Sequence, residues 1–247
     1  MLVMSIHSYR GGTGKTLLST NLAATYARKE KVLLLDYDLR APSLHSLFDD
    51  QPDWWINDYL NGDCEIEECM MEIVPNLYVA LANPEAEAIR EMMGKGRAWE
   101  TQALSKTIQI KDAMSKQGFE KIIFDTAPGL AYSSINAVVG SDVVALVMRL
   151  DVLDILGTKE MIRGVYELLE KPTFIVLNMV LPEQMEAQGE ILKQTFGDQP
   201  AAFLPCLCEV RSLLAKNQRI MIDEGLGYSD ALVSLADKLE KAAEKKI

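Results

Sequence analysis

The chain has 247 residues, 49% of them hydrophobic, enough to bury a full core as one domain over residues 1–247. Its 36 acidic against 25 basic residues leave a net charge of -11, which sets the molecule as a whole against DNA phosphates and anionic lipid. No apolar run approaches the roughly 20 residues of a membrane span, and four scattered cysteines make no disulfide framework. A soluble, unprocessed protein of a reducing cytoplasm is expected.

In chain order, short apolar and β-branched runs alternate with longer segments of helical spacing. Strands are expected at 2–8, 31–37, 77–81, 121–125, 143–148, 173–178 and 201–204. Helices are expected at 15–28, 84–117, 153–170 and 229–246, each with apolar residues three and four apart. That order implies an α/β fold: a doubly wound, mostly parallel sheet with helices on both faces, which binds ligands beyond the carboxyl ends of its strands.

The first strand runs into Arg10-Gly11-Gly12-Thr13-Gly14-Lys15-Thr16 and then a helix. Against the phosphate-loop pattern G-x-x-x-x-G-K-[ST], Tyr9 stands at the first glycine and Gly14-Lys15-Thr16 fit. The glycines let backbone amides turn towards an anion, and the helix adds its N-terminal dipole. Lys15 is placed to reach β- and γ-phosphates, and Thr16 to set its hydroxyl on Mg²⁺. The second strand ends in Asp36-Tyr37-Asp38, two carboxylates at i and i+2 expected to face the phosphates together. The run Ile122-Ile123-Phe124-Asp125-Thr126-Ala127-Pro128-Gly129 reads as a Walker B strand, with Asp125 on Mg²⁺ through water and Gly129 in a switch loop that moves with the γ-phosphate.

The loop resembles that of the ParA/MinD family of ATPases, which reads K-G-G-x-G-K-[ST], and the likeness extends over most of the chain. The resemblance implies ATP/ADP and Mg²⁺ as ligands, the phosphates lying against Gly11, Gly12, Thr13, Gly14, Lys15, Thr16 and Leu17. Arg10 occupies the place of the family's signature lysine, which crosses a nucleotide-sandwich homodimer to the partner's phosphates. A planar guanidinium is not a geometric equal of an ammonium there. Asp38 is implied to position the attacking water, and Asp36 to support the Mg²⁺ shell or Lys15. Asn178 and Pro205 match the family's adenine contacts, so ATP is expected over GTP. The implied function is a switch whose ATP-dependent dimer is read by an unidentified protein partner or activator. DNA or membrane association finds no support in the net charge of -11 or in the C-terminal helix, whose Leu232, Leu235 and Leu239 form a packing stripe ending soon before Lys245-Lys246-Ile247.

Two other readings stay open. The stretch Asp36 to His45 is similar to the D-x-D-x-R-x-P-x-L-H element of bacterial tyrosine autokinases, although the last tyrosine, Tyr228, stands alone rather than in a C-terminal cluster. Cys206 and Cys208 from each of two subunits would make a four-thiolate site like that of some metal-insertion ATPases. Cys64 and Cys69 are expected to pack, His7 and His45 have no catalytic partner by motif, and Trp54-Trp55 beside the acidic 49–53 stretch suggests either a partner surface or ordinary burial.

Overall fold

Alternation along each strand decides the architecture. In the first strand Met4 and Ile6 join one core cluster and Val3 another; in the second, Leu34 faces the first cluster while Leu33 and Leu35 face the second. Strands buried on both faces need helices on both sides. The computed structural model describes residues 1–197, 201–206, 208–216, 219–220 and 227–244.

The elements run β1 (Leu2–His7), α1 (Lys15–Ala27), β2 (Val32–Tyr37), α2 (Ile56–Asn61), β3 (Met70–Val74), β4 (Leu77–Ala80), α3 (Ala86–Gly94) and α4 (Arg97–Lys116). The chain continues through β5 (Lys121–Thr126), α5 (Tyr132–Gly140), β6 (Val143–Met148), α6 (Val152–Met161), β7 (Thr173–Val180), α7 (Met185–Phe196), β8 (Ala201–Pro205), α8 (Cys208–Ala215) and α9 (Gly227–Glu244). One sheet orders the strands β3-β4-β2-β5-β1-β6-β7-β8, parallel except for β3. On one face α1 and α9 cover the sheet through Leu18, Leu22, Leu232, Leu235 and Leu239. On the other, α2, α4 and α5 contribute Tyr59, Ile110, Met114 and Ala137 beside β2 and β5, and α6 and α7 contribute Met161 and Leu192 beside β6 and β7. β1 lies at the centre, and the chain leaves it to one side for β2 and later to the other for β6, so the ends of β1, β2 and β5 meet at the reversal point.

Several expected boundaries move for local reasons. The helix expected at 84–117 is two, because Lys95 between Gly94 and Gly96 is extended (φ -64, ψ 136) and Gly96 caps the second helix. The segment expected as one helix at 153–170 is interrupted by a π-helical turn, Ile162–Tyr166. β3 was not foreseen; its half-buried MMEIV pattern gives little alternation, and it pairs antiparallel with β4 through the Pro75-Asn76 turn, where Asn76 takes φ 69. Helices α2, α5, α7 and α8 fill further gaps between the strands, for which the sequence pattern gave no bounds. Expected β1 loses Ser8 and expected β2 loses Lys31, whereas β7 extends past Asn178 to Val180 with a register shift. The end of the helix expected at 229–246, with Lys245, Lys246 and Ile247, lies outside the described residues. Leu232, Leu235 and Leu239 are fully buried, as a packing stripe requires. Among the described residues no helix is long and apolar enough to cross a membrane.

Candidate phosphate-binding site

The loop after β1 turns through Gly12 at φ 76 and Gly14 at φ 86, backbone that other residues rarely adopt. Gly14 has a second reason to lack a side chain: a Cβ there would stand 2.5 Å from Asn178 Nδ2. Helix α1 begins on Gly14 with no side-chain cap and no acidic residue in its first turn. Its leading amides therefore remain open to an external anion, and the helix dipole favours one.

Lys15 is 8% exposed. Burial lowers its pKa, and the nearby charges of Asp125 and then Asp38 oppose that shift. Asp125, at the end of β5, is fully enclosed; burial pushes it up to about 6, against the Thr16 hydroxyl, the Lys15 charge and the Ser19 hydroxyl, which all favour its ionised form. Its Oδ1 and the Thr13 hydroxyl are buried without a hydrogen-bond partner. An uncompensated carboxylate oxygen beside Thr16 is the donor set a divalent cation takes, and an open helix N-terminus with a lysine above it is what a polyphosphate takes, so the residues present fit both groups. Thr16 Oγ1 also lies 3.2 Å from Ser43 Oγ, which brings the loop after β2 to the same point.

Asp36 is held by the backbone of the loop after β2. It pairs in register with Asp125 across β2 and β5, but its oxygens accept from the amides of Asp38 (3.0 Å) and Leu44 (3.3 Å). Fully buried, and raised well above the usual carboxylate range by desolvation and by Asp125, it shapes the 38–44 loop that carries Asp38. Asp38 is half-buried, accepts from the Ala41 amide at 3.0 Å, and is raised by burial against the pull of Lys15.

Asn178 sits against the loop rather than apart from it. Its Nδ2 donates to the Thr13 carbonyl at 2.8 Å and its Oδ1 accepts from the Met179 amide at 2.9 Å. Pro205 is half-buried at the end of β8, the next strand out, and the Cys206 amide bonds the Val180 carbonyl at 2.7 Å, so both chain ends expected at a base lie side by side. Leu17 is half-buried on α1 and packs on the core below the loop.

Arg10 extends to Asp151, Nη1 to Oδ1 3.5 Å, with both side chains about 40% exposed at 41% and 40%. Asp151 caps α6 by accepting from the amides of Leu153 and Asp154. His7, unassigned in the sequence, is buried beneath the switch loop, its Nε2 2.8 Å from the Gly129 carbonyl. Its signal was an imidazole at the end of β1, a strand otherwise apolar but for Ser5. Ser19, Ser43 and Asp151 were also missed; Ser19 alone was legible, three residues beyond Thr16 on α1.

The remaining candidates lie elsewhere. Cys64 and Cys69 are buried with sulfurs 3.5 Å apart, as packing residues. Cys206 and Cys208 are exposed and free, and among the described residues no three His, Cys, Asp or Glu converge on a metal position. Trp54 is exposed while Trp55 packs on the core. A cleft of about 720 Å³ at the amino ends of the strands is lined by lysines already engaged: Lys111 by Asp142, Lys121 by Glu30 and Glu240, Lys171 by backbone carbonyls.

A family profile described as an AAA domain matches residues 1–178. The sporulation initiation inhibitor protein Soj of Bacillus subtilis is 25% identical over 203 residues, covering 76% of this chain and 75% of Soj. The tyrosine-protein kinase ptk of Acinetobacter johnsonii is 33% identical over 141 residues, 51% of this chain but 17% of that protein. Among solved structures, the septum site-determining protein MinD of Pyrococcus horikoshii, complexed with Mg-ADP, superposes with a TM-score of 0.77 at 22% identity, over 100% of this chain and 98% of that one. With the fold, the loop and the matched 178 residues in agreement, the chain belongs to this AAA-domain family and has the P-loop fold of the MinD structure.

Proposed function

We propose that the protein is an ATP-driven molecular switch, in which two copies close over ATP, a protein partner reads the closed state, and hydrolysis reopens it. The observation that carries this reading is Lys15, buried between Asp125 and Asp38 at the uncapped N-terminus of α1. Bound ATP supplies the phosphoanhydride to be cleaved, and Mg²⁺ offsets the charge of its phosphates. Gly11 to Leu17 and the α1 amides bind the phosphates, and Thr16 and Asp125 hold the cation. Asp38 orients water, and its upward-shifted carboxyl is the better proton acceptor for that. Asn178 and Pro205 border the base. Arg10 leaves Asp151, an exposed pair worth ~0–1 kcal/mol, to reach the partner's phosphates.

Asp38→Ala is expected to trap an ATP-dependent dimer on size-exclusion chromatography; a monomer at saturating ATP-Mg²⁺ would sink the switch. The kinase reading draws on the 33% identity to ptk. Against it, Tyr228 is 3% exposed within α9 and its phenol is raised by burial, which suits a packing residue and not a phosphate acceptor. Labelled γ-phosphate appearing on the protein would favour that reading instead.

A further inference from the structure

His7 closes β1 three residues before Arg10, and the phosphate chemistry makes no use of it. Its two ring nitrogens meet the Gly129 carbonyl and the Tyr166 hydroxyl. The direction of each bond follows from what the groups can do. A carbonyl oxygen only accepts, so Nε2 carries the hydrogen and donates to Gly129. In a neutral imidazole Nδ1 then offers only a lone pair, so the Tyr166 hydroxyl donates to it. Burial keeps both rings in these forms, pulling the imidazole down to about 4 and raising the phenol. Tyr166, His7 and Gly129 thus make a hydrogen-bond chain with a fixed direction.

Gly129 is also held at its other polar group. Its amide donates to the Ser8 carbonyl at 2.9 Å, and its φ of 72 belongs to a turn that glycine accepts without strain. Consecutive residues of the β1 exit therefore fix both the N–H and the C=O of the switch glycine. At the far end of the chain, Tyr166 is fully buried and is the last residue of the π-helical turn after α6. Helix α6 touches the loop entry twice more. Gly157 makes room for the Tyr9 ring, since a Cβ there would stand 2.0 Å from Tyr9 Cε1, and Asp151 holds Arg10. β1, the switch loop and α6 are joined through polar bonds that bypass the phosphates.

We propose that His7 is a positioning residue: it sets the switch loop by holding the Gly129 carbonyl, and through Tyr166 it ties the movement of that loop to the π turn beyond α6. The consequence for hydrolysis rests on the nucleotide-switch reading; the hold itself does not.

Hydrogen exchange separates the two. In nucleotide-free protein, Tyr166→Phe frees the His7 tautomer, and exchange across 127–132 is expected to rise on the order of tenfold while the central strands keep their protection. His7→Ala is expected to do the same, and His7→Gln, which keeps an amide N–H able to reach Gly129, to restore most of the protection. In turnover, Tyr166→Phe is expected to lower kcat about tenfold with ADP affinity within about twofold of wild type. A non-hydrolysable ATP analogue is expected to alter exchange at 162–166 in wild type and not in Tyr166→Phe. Wild-type exchange at 127–132 in Tyr166→Phe overturns the proposal, as does a loss of ADP affinity in step with kcat. If His7→Ala does not fold, Tyr166→Phe decides alone. A wild-type protein that fails to turn over ATP removes the switch reading, while the nucleotide-free exchange still judges the hold.

Discussion

At the residue scale, the chain's main departure from its family pattern is Arg10. In one copy it rests on Asp151 in a solvent-exposed pair, weak enough to release. Arg10→Ala is expected to cut hydrolysis on the order of 10³-fold, with ADP binding to the single chain changed less than about threefold. Equal losses of both in calorimetry would show that the guanidinium serves its own loop. A second consequence concerns acid. His7 moves from 6.5 to about 4 on folding, so its contribution is intact above pH 6.5 and is lost as pH falls towards 4, ~3 kcal/mol in all. Asp125 moves from 3.8 to about 6, so the native state takes its proton first, and falling pH adds stability between those values. Asp36 and Asp38, also raised by burial, act in the same direction as Asp125. In metal-free urea unfolding from pH 6.5 to 4.5, Asp125→Asn is expected to lose more stability than wild type and His7→Gln less. Identical slopes in the two variants would contradict the opposed signs.

At the scale of elements, the loop is positioned by neighbours as much as by its own glycines. Asn178 at the end of β7 bonds the Thr13 carbonyl, and the α6 residue Gly157 accepts the Tyr9 ring. Gly157→Ala forces that half-exposed ring aside, an overpacking cost of ~1 kcal/mol, and is expected to lower Tm by about 2–4 °C in scanning calorimetry with nucleotide binding retained. An unchanged Tm would mean that the ring swings out without loss. The interruption after α6 has a single counterpart in the sequence, Gly164 inside the turn; residues 152–166 otherwise keep helical spacing, and Tyr166, buried against His7, ends the π turn. The break between α3 and α4 was legible, since Gly94 and Gly96 flank it.

For the whole molecule, net charge is the property that association must overcome. Two chains of net charge -11 each repel at long range, and salt screens that repulsion within a Debye length of ~10 Å at 0.1 M. The ATP-dependent dimer of Asp38→Ala is therefore expected to strengthen between about 50 and 300 mM salt; weakening across that range would point to ion pairs such as Arg10 with phosphate dominating the interface. The same protein shows how far each level of description reaches. The sequence by itself determined the mostly parallel α/β sheet, the place of the glycine loop between β1 and α1, and Lys15, Thr16 and Asp125 as groups expected around it, because glycine dihedrals, strand alternation and a carboxylate at a strand end are local signals. Tertiary structure alone decided that Asp36 bonds the backbone of the 38–44 loop, that Asn178 braces Thr13, that Arg10 rests on Asp151, and that His7 joins Gly129 to Tyr166. Most of these contacts join residues more than a hundred positions apart, and what Asp36 does depends on how the chain folds back after β2. The partners are brought together only when the strands take their order in the sheet, which no local pattern records.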